Sequence, residues 1–593
     1  MRIEVREDIP EDSELRKAWN ELALQMERPE VFYTYEWAVA AQRAYGDSLQ
    51  LLVFLGYEDE LLVGLLALAR ERTSSVDSSF MTFLTANTGD YCDFMSEPGR
   101  RREFVEAVFA ELKDRKIGRM VLANLPADSC SVAAISRAAA NSGLHLHSRP
   151  AYLCARVVPG VGAERAAVKQ AVASKKRLRR NIRELEKRGK VVVQHVRQWD
   201  EIEPLLQPFN RAHVARFLTT GRISNLTRAE RRVFLYELAR ELSRPGWVTI
   251  SRLLVGEIPA AWNYGFQFAG SWFWYQPTVN STYEELSPGY CLLAKIVLLA
   301  CDSPDIKLVD LGLGAEDYKD RFATENRQTL YMVLNSSFAG HVRAVVRDRA
   351  AAVATVSPRV ESWIRFIISW VGKLSARLRE SGLWGLVKWG ARRTWSSLFA
   401  FEVVHFFDWP ASEENAGGCS GLSLRRLDDD IVGDAAIHYQ DDRATLRYLI
   451  RCAQRLRAEG DGGFALLTAE GTAVHFCWVK HFEGFEMAEL GRTLNAPSAD
   501  AVMIFDCFTP IAARGQGFFA DAIAALARQL HSEGKAPWIF GAATNLESLR
   551  GIEKSGFTRR FSLGRKRIFF VETQKDLIPA VKPANVSPSV PAP

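Results

Sequence analysis

The sequence contains no Cys-x-x-Cys pair, no histidine grouping at metal-ligand spacing, and no apolar run near the ~18 residues that span a bilayer. Its nine cysteines are scattered and odd in number, which points to reduced thiols in a cytoplasmic compartment and away from a zinc site. The beginning, Met-Arg-Ile-Glu-Val-Arg-Glu-Asp, is charged and lacks the apolar core of a secretory signal. Charge of one sign is also scarce. A net +6 on 593 residues suits an anionic cofactor or a membrane surface and does not by itself imply nucleic acid, so no nucleic-acid partner and no metal are expected. What is present is ordinary globular composition, and a chain this long divides into about three to five units.

The most specific local pattern lies near the C-terminus. A strand-like run, Val502 to Phe508 with Asp506 inside it, enters Thr509-Pro510-Ile-Ala-Ala-Arg514-Gly515-Gln516-Gly517. A helix follows, with apolar residues at Phe519, Ala522, Ile523, Leu526 and Leu530. Glycines there let the backbone approach a ligand, and a helix N-terminus directs free N–H groups and a positive dipole end at it. A pyrophosphate fits that description. A bare Arg-Gly-x-Gly is weak evidence, but a second strand at 538–542, then Asn545, then Gly556-Phe557 follow at matching distances.

At these residues, over about 420–570, the chain resembles the GNAT superfamily of acyl-CoA-dependent N-acyltransferases. The resemblance implies that Arg514, Gly515, Gln516 and Gly517 hold the CoA pyrophosphate. It also implies that backbone groups of the preceding strand, about Phe508 and Thr509, hold the pantetheine arm, with Asn545 near that arm. Two positions depart from the family: Ala512 stands where the turn usually begins with Gln or Arg, and Ile552 stands where a Tyr often protonates the leaving thiolate.

The first 165 residues read as an α/β unit, with a hairpin of strands around 51–55 and 61–68. A basic helix over 165–190 carries nine Lys/Arg between 175 and 190, with Leu178, Ile182 and Leu185 at helical spacing. Its charged side is either a solvated face or a contact for an anionic substrate or lipid-linked phosphate. From 192 to 340 a second α/β unit repeats the C-terminal order. Strands end at Ser271–Gln276, a loop reaches Pro288-Gly289, an apolar helix runs to Leu299, and a strand covers 307–313.

A second resemblance spans about 15–335. Phe32…Glu36-Trp37, Leu62-Val-Gly-Leu-Leu66, the Lys175–Arg188 helix, Leu286-Ser-Pro-Gly289 and Gly314-Ala-Glu-Asp-Tyr318-Lys319-Asp-Arg321-Phe322 resemble the CelD/BcsL family. That family belongs to the BioF-like acetyltransferases of cellulose and exopolysaccharide synthesis. It resembles the FemABX aminoacyltransferases in pairing two GNAT-like folds, the first degenerate. The implied architecture is α/β with multiple GNAT-like domains, a FemABX-like tandem pair plus a C-terminal GNAT domain. The expected boundaries are 1–165 for the degenerate unit, 166–345 for the CelD-type unit, 346–415 for a connector, 416–575 for the C-terminal GNAT domain and 576–593 for a disordered tail.

The connector is basic and rich in tryptophan, with five of the fifteen Trp between 363 and 395. Such a segment either lies flat in an anionic lipid interface, giving peripheral membrane contact through 358–400, or packs between domains.

Transfer from a thioester to an amine requires positioning, an oxyanion contact and proton management. Asp506 is a candidate base, on either face of its strand, with His475 and Glu489 comparable. In the central unit Tyr318 can protonate the thiolate, and Lys319 can meet a phosphate or pair with a nearby carboxylate. Pro288 and Gly289 are the central cofactor-binding candidates. Asp310 can orient a substrate hydroxyl or cap a loop. The function expected is an acyl-CoA-dependent N-acetyltransferase with acetyl-CoA as donor and an amino-sugar or other polysaccharide or envelope precursor as acceptor. The alternatives are an aminoacyl-tRNA-dependent aminoacyltransferase and a non-catalytic scaffold of a polysaccharide synthase.

Overall fold

Alternating apolar strands and one-sided apolar helices build two units in the computed structural model. It describes residues 1–72, 80–314, 316–356, 399–410, 421–457, 462–487, 489–568 and 571–577. Residues 357–398, most of the tryptophan-rich segment expected over 358–400 either to contact membrane or to pack between domains, lie outside the described residues, as do 411–420 and, of the tail expected over 576–593, residues 578–593.

The first unit comprises Met1–Arg216 with Ser224–Pro358. Its N-terminal half runs β1 (Arg2–Arg6), α1 (Ser13–Gln25), α2 (Tyr35–Tyr45), β2 (Leu49–Glu58), β3 (Leu61–Glu71), β4 (Met81–Phe83), β5 (Met95–Ser96), α3 (Arg101–Asp114), β6 (Arg119–Pro126), α4 (Ser131–Asn141) and β7 (His145–Val157). The central half continues with α5 (Ala163–Ala173), α6 (Lys176–Arg188), β8 (Val191–Val196), α7 (Trp199–Thr219), α8 (Ala229–Ser243), β9 (Val248–Val255), β10 (Ile258–Phe268) and β11 (Ser271–Val279). It closes with α9 (Pro288–Asp302), β12 (Leu308–Asp310), α10 (Asp317–Asp320), β13 (Glu325–Asn335) and α11 (Phe338–Val356). The single basic helix expected over 165–190 is two helices, because Lys175 leaves helical geometry at ψ 114°.

All thirteen strands of this unit join one sheet in the order β1-β2-β3-β4-β6-β13-β7-β12-β11-β10-β9-β8, with β5 on β3. Each half contributes a parallel pair crossed over by a helix, β4 with β6 across α3 and β11 with β12 across α9. The halves exchange strands: β13, from the end of the central half, lies between β6 and β7, while β7 lies between β12 and β13. A boundary at 165/166 therefore separates two sequence segments but not two sheets. Apolar helix faces pack on the shared sheet, α9 with Trp272, Trp274 and Val309, and α3 with Phe54, Leu66 and Met120.

The second unit is built on β14 (Phe399–Asp408), β15 (Ser423–Arg426), α12 (Asp429–His438), α13 (Arg443–Arg455), β16 (Gly462–Leu467), β17 (Ala473–His481), β18 (Phe485–Met487) and β19 (Arg492–Leu494). β20 (Ala501–Phe508), α14 (Phe518–Ser532), β21 (Ala536–Ala542), α15 (Leu546–Lys554), β22 (Thr558–Ile568) and β23 (Val571–Leu577) complete it. Its main sheet runs β15-β16-β17-β20-β21-β14-β22-β23. Residues 399–408 fall inside the connector expected over 346–415. They form a strand instead, antiparallel to both β21 and β22. Val403-Val404-His405-Phe406-Phe407 is β-branched and aromatic, and Val404, Phe406 and Phe407 are buried, so burial in the sheet outweighs the short length of the run.

Candidate active site

In the central half, β11 and β12 pair in parallel for only three residues, Ser271 to Phe273 against Leu308 to Asp310. Beyond them the strands part. β11 stays on β10 as far as Val279, and the chain after β12 turns through Gly312 and Gly314, both at positive φ. The mouth of this opening is capped by α9, whose first residues are Pro288 and Gly289. Ser287 before them is left-handed at φ 49° and makes no side-chain cap on the helix, whose first residue, Pro288, has no N–H to satisfy. Gly289 packs closely: a Cβ there would stand 3.0 Å from Val279 Cγ1, so the valine side chain would have to shift to admit it.

The basic helix α6 lies against this mouth. Arg177 Nη2 donates to Ser287 Oγ at 2.9 Å, and its guanidinium is 5.5 Å from the Tyr290 ring centre. Lys175 donates to the Arg321 carbonyl at 2.9 Å, and Arg188 to the Thr282 carbonyl at 3.3 Å. Leu178, Asn181 and Leu185 face inward, while Lys176, Arg179, Arg180, Arg183 and Lys187 stay exposed. The helix is thus both an anchor for the α9 turn and a positive surface beside it.

Inside the opening, Trp274 Nε1 donates to the Tyr318 hydroxyl at 3.2 Å, and burial raises the Tyr318 pKa, which keeps the phenol protonated. Lys319 is buried; its ammonium donates to the Leu313 carbonyl at 2.8 Å and pairs with Glu316 at 2.7 Å. It therefore fixes the turn after β12 and meets a nearby carboxylate. Asp310 is 1% exposed and fully engaged, accepting from Tyr91 Oη at 2.9 Å and from the Gly312 N–H at 2.8 Å, with Arg156 Nε at 3.4 Å.

Sequence reasoning missed Asp90. This half-buried carboxylate comes from the β4–β5 loop of the N-terminal half and accepts the Leu313 N–H. Burial and the neighbouring Asp310 push its pKa up to about 7. The available signal was Gly89-Asp90-Tyr91-Cys92-Asp93-Phe94, two acids set among aromatics in a stretch with neither helical nor strand period.

The second unit repeats the opening. β20 and β21 pair in parallel from Ala501/Ala536 to Ile504/Ile539 and then separate. Gly515 and Gly517 take φ 78° and 87°, which an L side chain resists, and α14 starts at Phe518. Arg514 Nε donates to the Thr509 carbonyl at 3.2 Å, Gln516 Nε2 donates to the Ala512 carbonyl at 3.3 Å, and 511–512 and 514–516 are exposed. Phe508 stacks on Tyr448 with ring centres 4.2 Å apart, and the Thr509 hydroxyl shares a 2.8 Å hydrogen bond with His475 Nδ1.

Strand alternation does not govern Asp506. The β17–β20 register slips between Phe476/Phe508 and Trp478/Phe505, and Asp506 takes φ 46° inside that bulge. Its carboxylate is held by Arg455 Nη1 at 2.7 Å, and its carbonyl accepts from Tyr448 Oη at 2.9 Å. His475 is fully buried, which lowers its pKa to about 3, and Glu489 is exposed. Asn545 caps α15, accepting the Ser548 N–H at 3.1 Å, and Ile552 is buried in the core beneath. The structure thus gathers Tyr318, Lys319, Pro288 and Gly289 around one opening, and Asp506, Phe508, Thr509 and Arg514 to Gly517 around another. Among the described residues no His/Cys/Asp/Glu group could hold a metal, and no helix is long and apolar enough to cross a membrane.

The model of the acetyltransferase (GNAT) domain family matches residues 173–320, the segment that carries α6, the β11–β12 opening and Tyr318. The central half contains a GNAT acetyltransferase domain. No curated protein matches the chain. Among solved structures, FemX is similar at 8% identity, covering 56% of this chain and 97% of its own, with a TM-score of 0.41. A tandem GNAT protein from the clavulanic acid biosynthesis pathway is similar at 15% identity, covering 57% and 99%, with a TM-score of 0.33. L-PGS from Bacillus licheniformis is similar at 11% identity, covering 57% and 96%, with a TM-score of 0.36. The fold is mixed α/β with GNAT-like units, and the central domain is of acyltransferase type.

Proposed function

We propose that the chain is an acyl-CoA-dependent N-acyltransferase, with acetyl-CoA as donor and the amine of a sugar or another envelope or polysaccharide precursor as acceptor. The observation that carries this reading is the β11–β12 opening, where the start of α9 and Arg177 lie at the mouth and a protonated Tyr318 lies within. A CoA pyrophosphate at the mouth places its thioester between the parted strands. Backbone groups of β11 beyond Phe273 can bind the pantetheine amides and polarise the carbonyl. Tyr318 then supplies a proton to the departing thiolate. In this reading Pro288 and Gly289 border the diphosphate, and Lys319 positions the turn. The turn from Arg514 to Gly517 is a second cradle for the same group, with Asp506 nearby.

The exposed cations of α6 favour one competitor, an acyl group carried on RNA, because a row of Lys and Arg matches a phosphate chain. Calorimetric titration separates the two. Acetyl-CoA should bind, and free thiol should appear only when a primary amine is added. Gly289→Glu should reduce that turnover roughly 100-fold or more by placing like charge at the mouth. An unchanged rate in Gly289→Glu, or thiol release only from a charged tRNA thioester analogue, would overturn the reading.

A further inference from the structure

The loop between β4 and β5 is tied down from several directions. Trp37 Nε1 of α2 donates to Thr88 Oγ1 at 3.0 Å, and Asn124 Nδ2 of β6 donates to the Gly89 carbonyl at 3.0 Å. The Cys92 N–H returns to the Asn124 carbonyl at 3.1 Å. From the central half, Tyr275 Oη of β11 donates to the Thr88 carbonyl. Tyr91 in turn donates to Asp310 at 2.9 Å. Asp90 stands between these anchors, so its position is set by both halves.

That position is the opening itself. Asp90 Oδ2 lies 2.5 Å from the point where a Cβ on Gly312 would stand, and the Trp274 carbonyl lies 3.5 Å from the same point. The carboxylate thus occupies space left by a glycine, between the strand that leaves β11 and the turn that leaves β12. The residue keeps partial solvent exposure, while its carboxyl group is set deep among its neighbours and accepts the Leu313 N–H. The groups that face it are Asp310 of β12, Lys319 of α10, Arg231 of α8, Tyr275 of β11, Cys154 of β7 and Cys92 of its own loop.

We propose that Asp90, contributed by the N-terminal half, accepts the proton of the acceptor amine at the β11–β12 opening and so completes the active site of the central half. This rests on the acyltransferase reading above. The amine nitrogen attacks the thioester carbonyl carbon, a C–N bond forms, and the nitrogen proton passes to the Asp90 carboxylate. The C–S bond then breaks, the thiolate takes the Tyr318 proton, and the tyrosine is reprotonated from water as Asp90 returns its proton to solvent. An ordinary carboxylate is too weak a base for this step. One whose pKa stands near 7, as burial and Asp310 arrange here, is matched to it at physiological pH. The N-terminal half, expected to be degenerate, then has a chemical role without holding a cofactor of its own.

The test uses the full chain, acetyl-CoA, and a panel of primary amines such as glucosamine, galactosamine and amino-acid esters. Asp90→Asn should lower kcat by roughly 100-fold or more. It should leave the acetyl-CoA Kd within about twofold and abolish the acidic limb of the pH–rate profile near pH 7. Asp90→Glu keeps the carboxylate and should retain a limb while losing part of kcat, which a purely structural residue would not do; it also serves if Asp90→Asn fails to fold. Asp90→Asn within about threefold of wild type, with the limb in place, overturns this inference alone. A wild-type chain that binds no acetyl-CoA and releases no thiol with any amine overturns both this inference and the acyltransferase reading.

Discussion

The central and C-terminal openings use one device with different fittings. Both part a parallel strand pair after a few residues and cap the gap with an apolar helix. The C-terminal turn has the freer backbone, with two glycines at positive φ, no atom within 4 Å of a Cβ built on Gly515, and Arg514 and Gln516 folded back on their own turn. The central turn has a proline and one glycine, and it borrows positive charge from α6. The titratable groups are divided the other way. The central opening holds Asp90, Tyr318, Lys319 and Asp310, whereas the C-terminal carboxylate, Asp506, is clamped by Arg455 and the position of the family tyrosine is a buried isoleucine. A backbone suited to an anion and a set of groups suited to proton transfer are therefore separable features. A glycine-rich motif reports only the first.

The hardest break to this comparison is Trp37→Ala. Trp37 is fully buried, its ring lies 4.7 Å from Phe32 and 5.1 Å from Phe266, and its indole N–H holds Thr88 beside Asp90. Truncation should cost about 3–5 kcal/mol. Because Phe32 belongs to the N-terminal half and Phe266 to the central half, the loss should move the melting transition of the first unit. Calorimetry should show the transition of the second unit unmoved. A uniform shift of both would mean that the two units do not melt independently.

How far these differences were legible in the sequence depends on range. The β2–β3 hairpin, the strand–turn–helix at 501–532 and the helix opened by Pro288-Gly289 follow from local periodicity and glycine, and the structure has them. The exchange of β7 and β13 is invisible locally, since partners such as Met332 and Ser148 lie far apart in sequence. β14 was hidden for the same reason, its pairing partners being near residues 540 and 563. Alternation left Asp506 on either face of its strand, and the bulge at that residue, which no local pattern announces, is what sets its direction. Asp90 carries no motif, and its place at the central opening depends on partners far apart in sequence, Tyr91 with Asp310 and Thr88 with Tyr275.

A milder probe sharpens the contrast through pH. His475, buried behind the C-terminal turn, has its pKa lowered to about 3 by burial. Unfolding restores an ordinary value near ~6.5, so between these values the unfolded chain binds the extra proton. The stability it contributes is present above about pH 6.5 and is lost as pH falls through that window. Between pH 7 and pH 5 the second unit should lose about 2 kcal/mol on this account, and His475→Gln should flatten that limb. Denaturant melts of the second unit at the two pH values measure it; an undiminished acid loss in the variant would place the sensitive group elsewhere.

The smallest expected effect bears on whether a motif residue serves the ligand or the fold. Asn545 sits where the family places a contact to the cofactor arm, yet its side chain accepts the Ser548 N–H and begins α15. An acceptor committed to a helix cap has one fewer lone pair for a ligand, and its removal exposes an orphan N–H at the helix start. Asn545→Ala should therefore lower the stability of the second unit by about 1 kcal/mol. Asn545→Asp, which preserves the cap, should restore it. If acetyl-CoA binds the Arg514–Gly517 turn through backbone N–H groups and its affinity stays the same in both variants, the residue belongs to the scaffold. A large loss of affinity in the aspartate variant, with stability retained, would instead assign the side-chain amide to the cofactor.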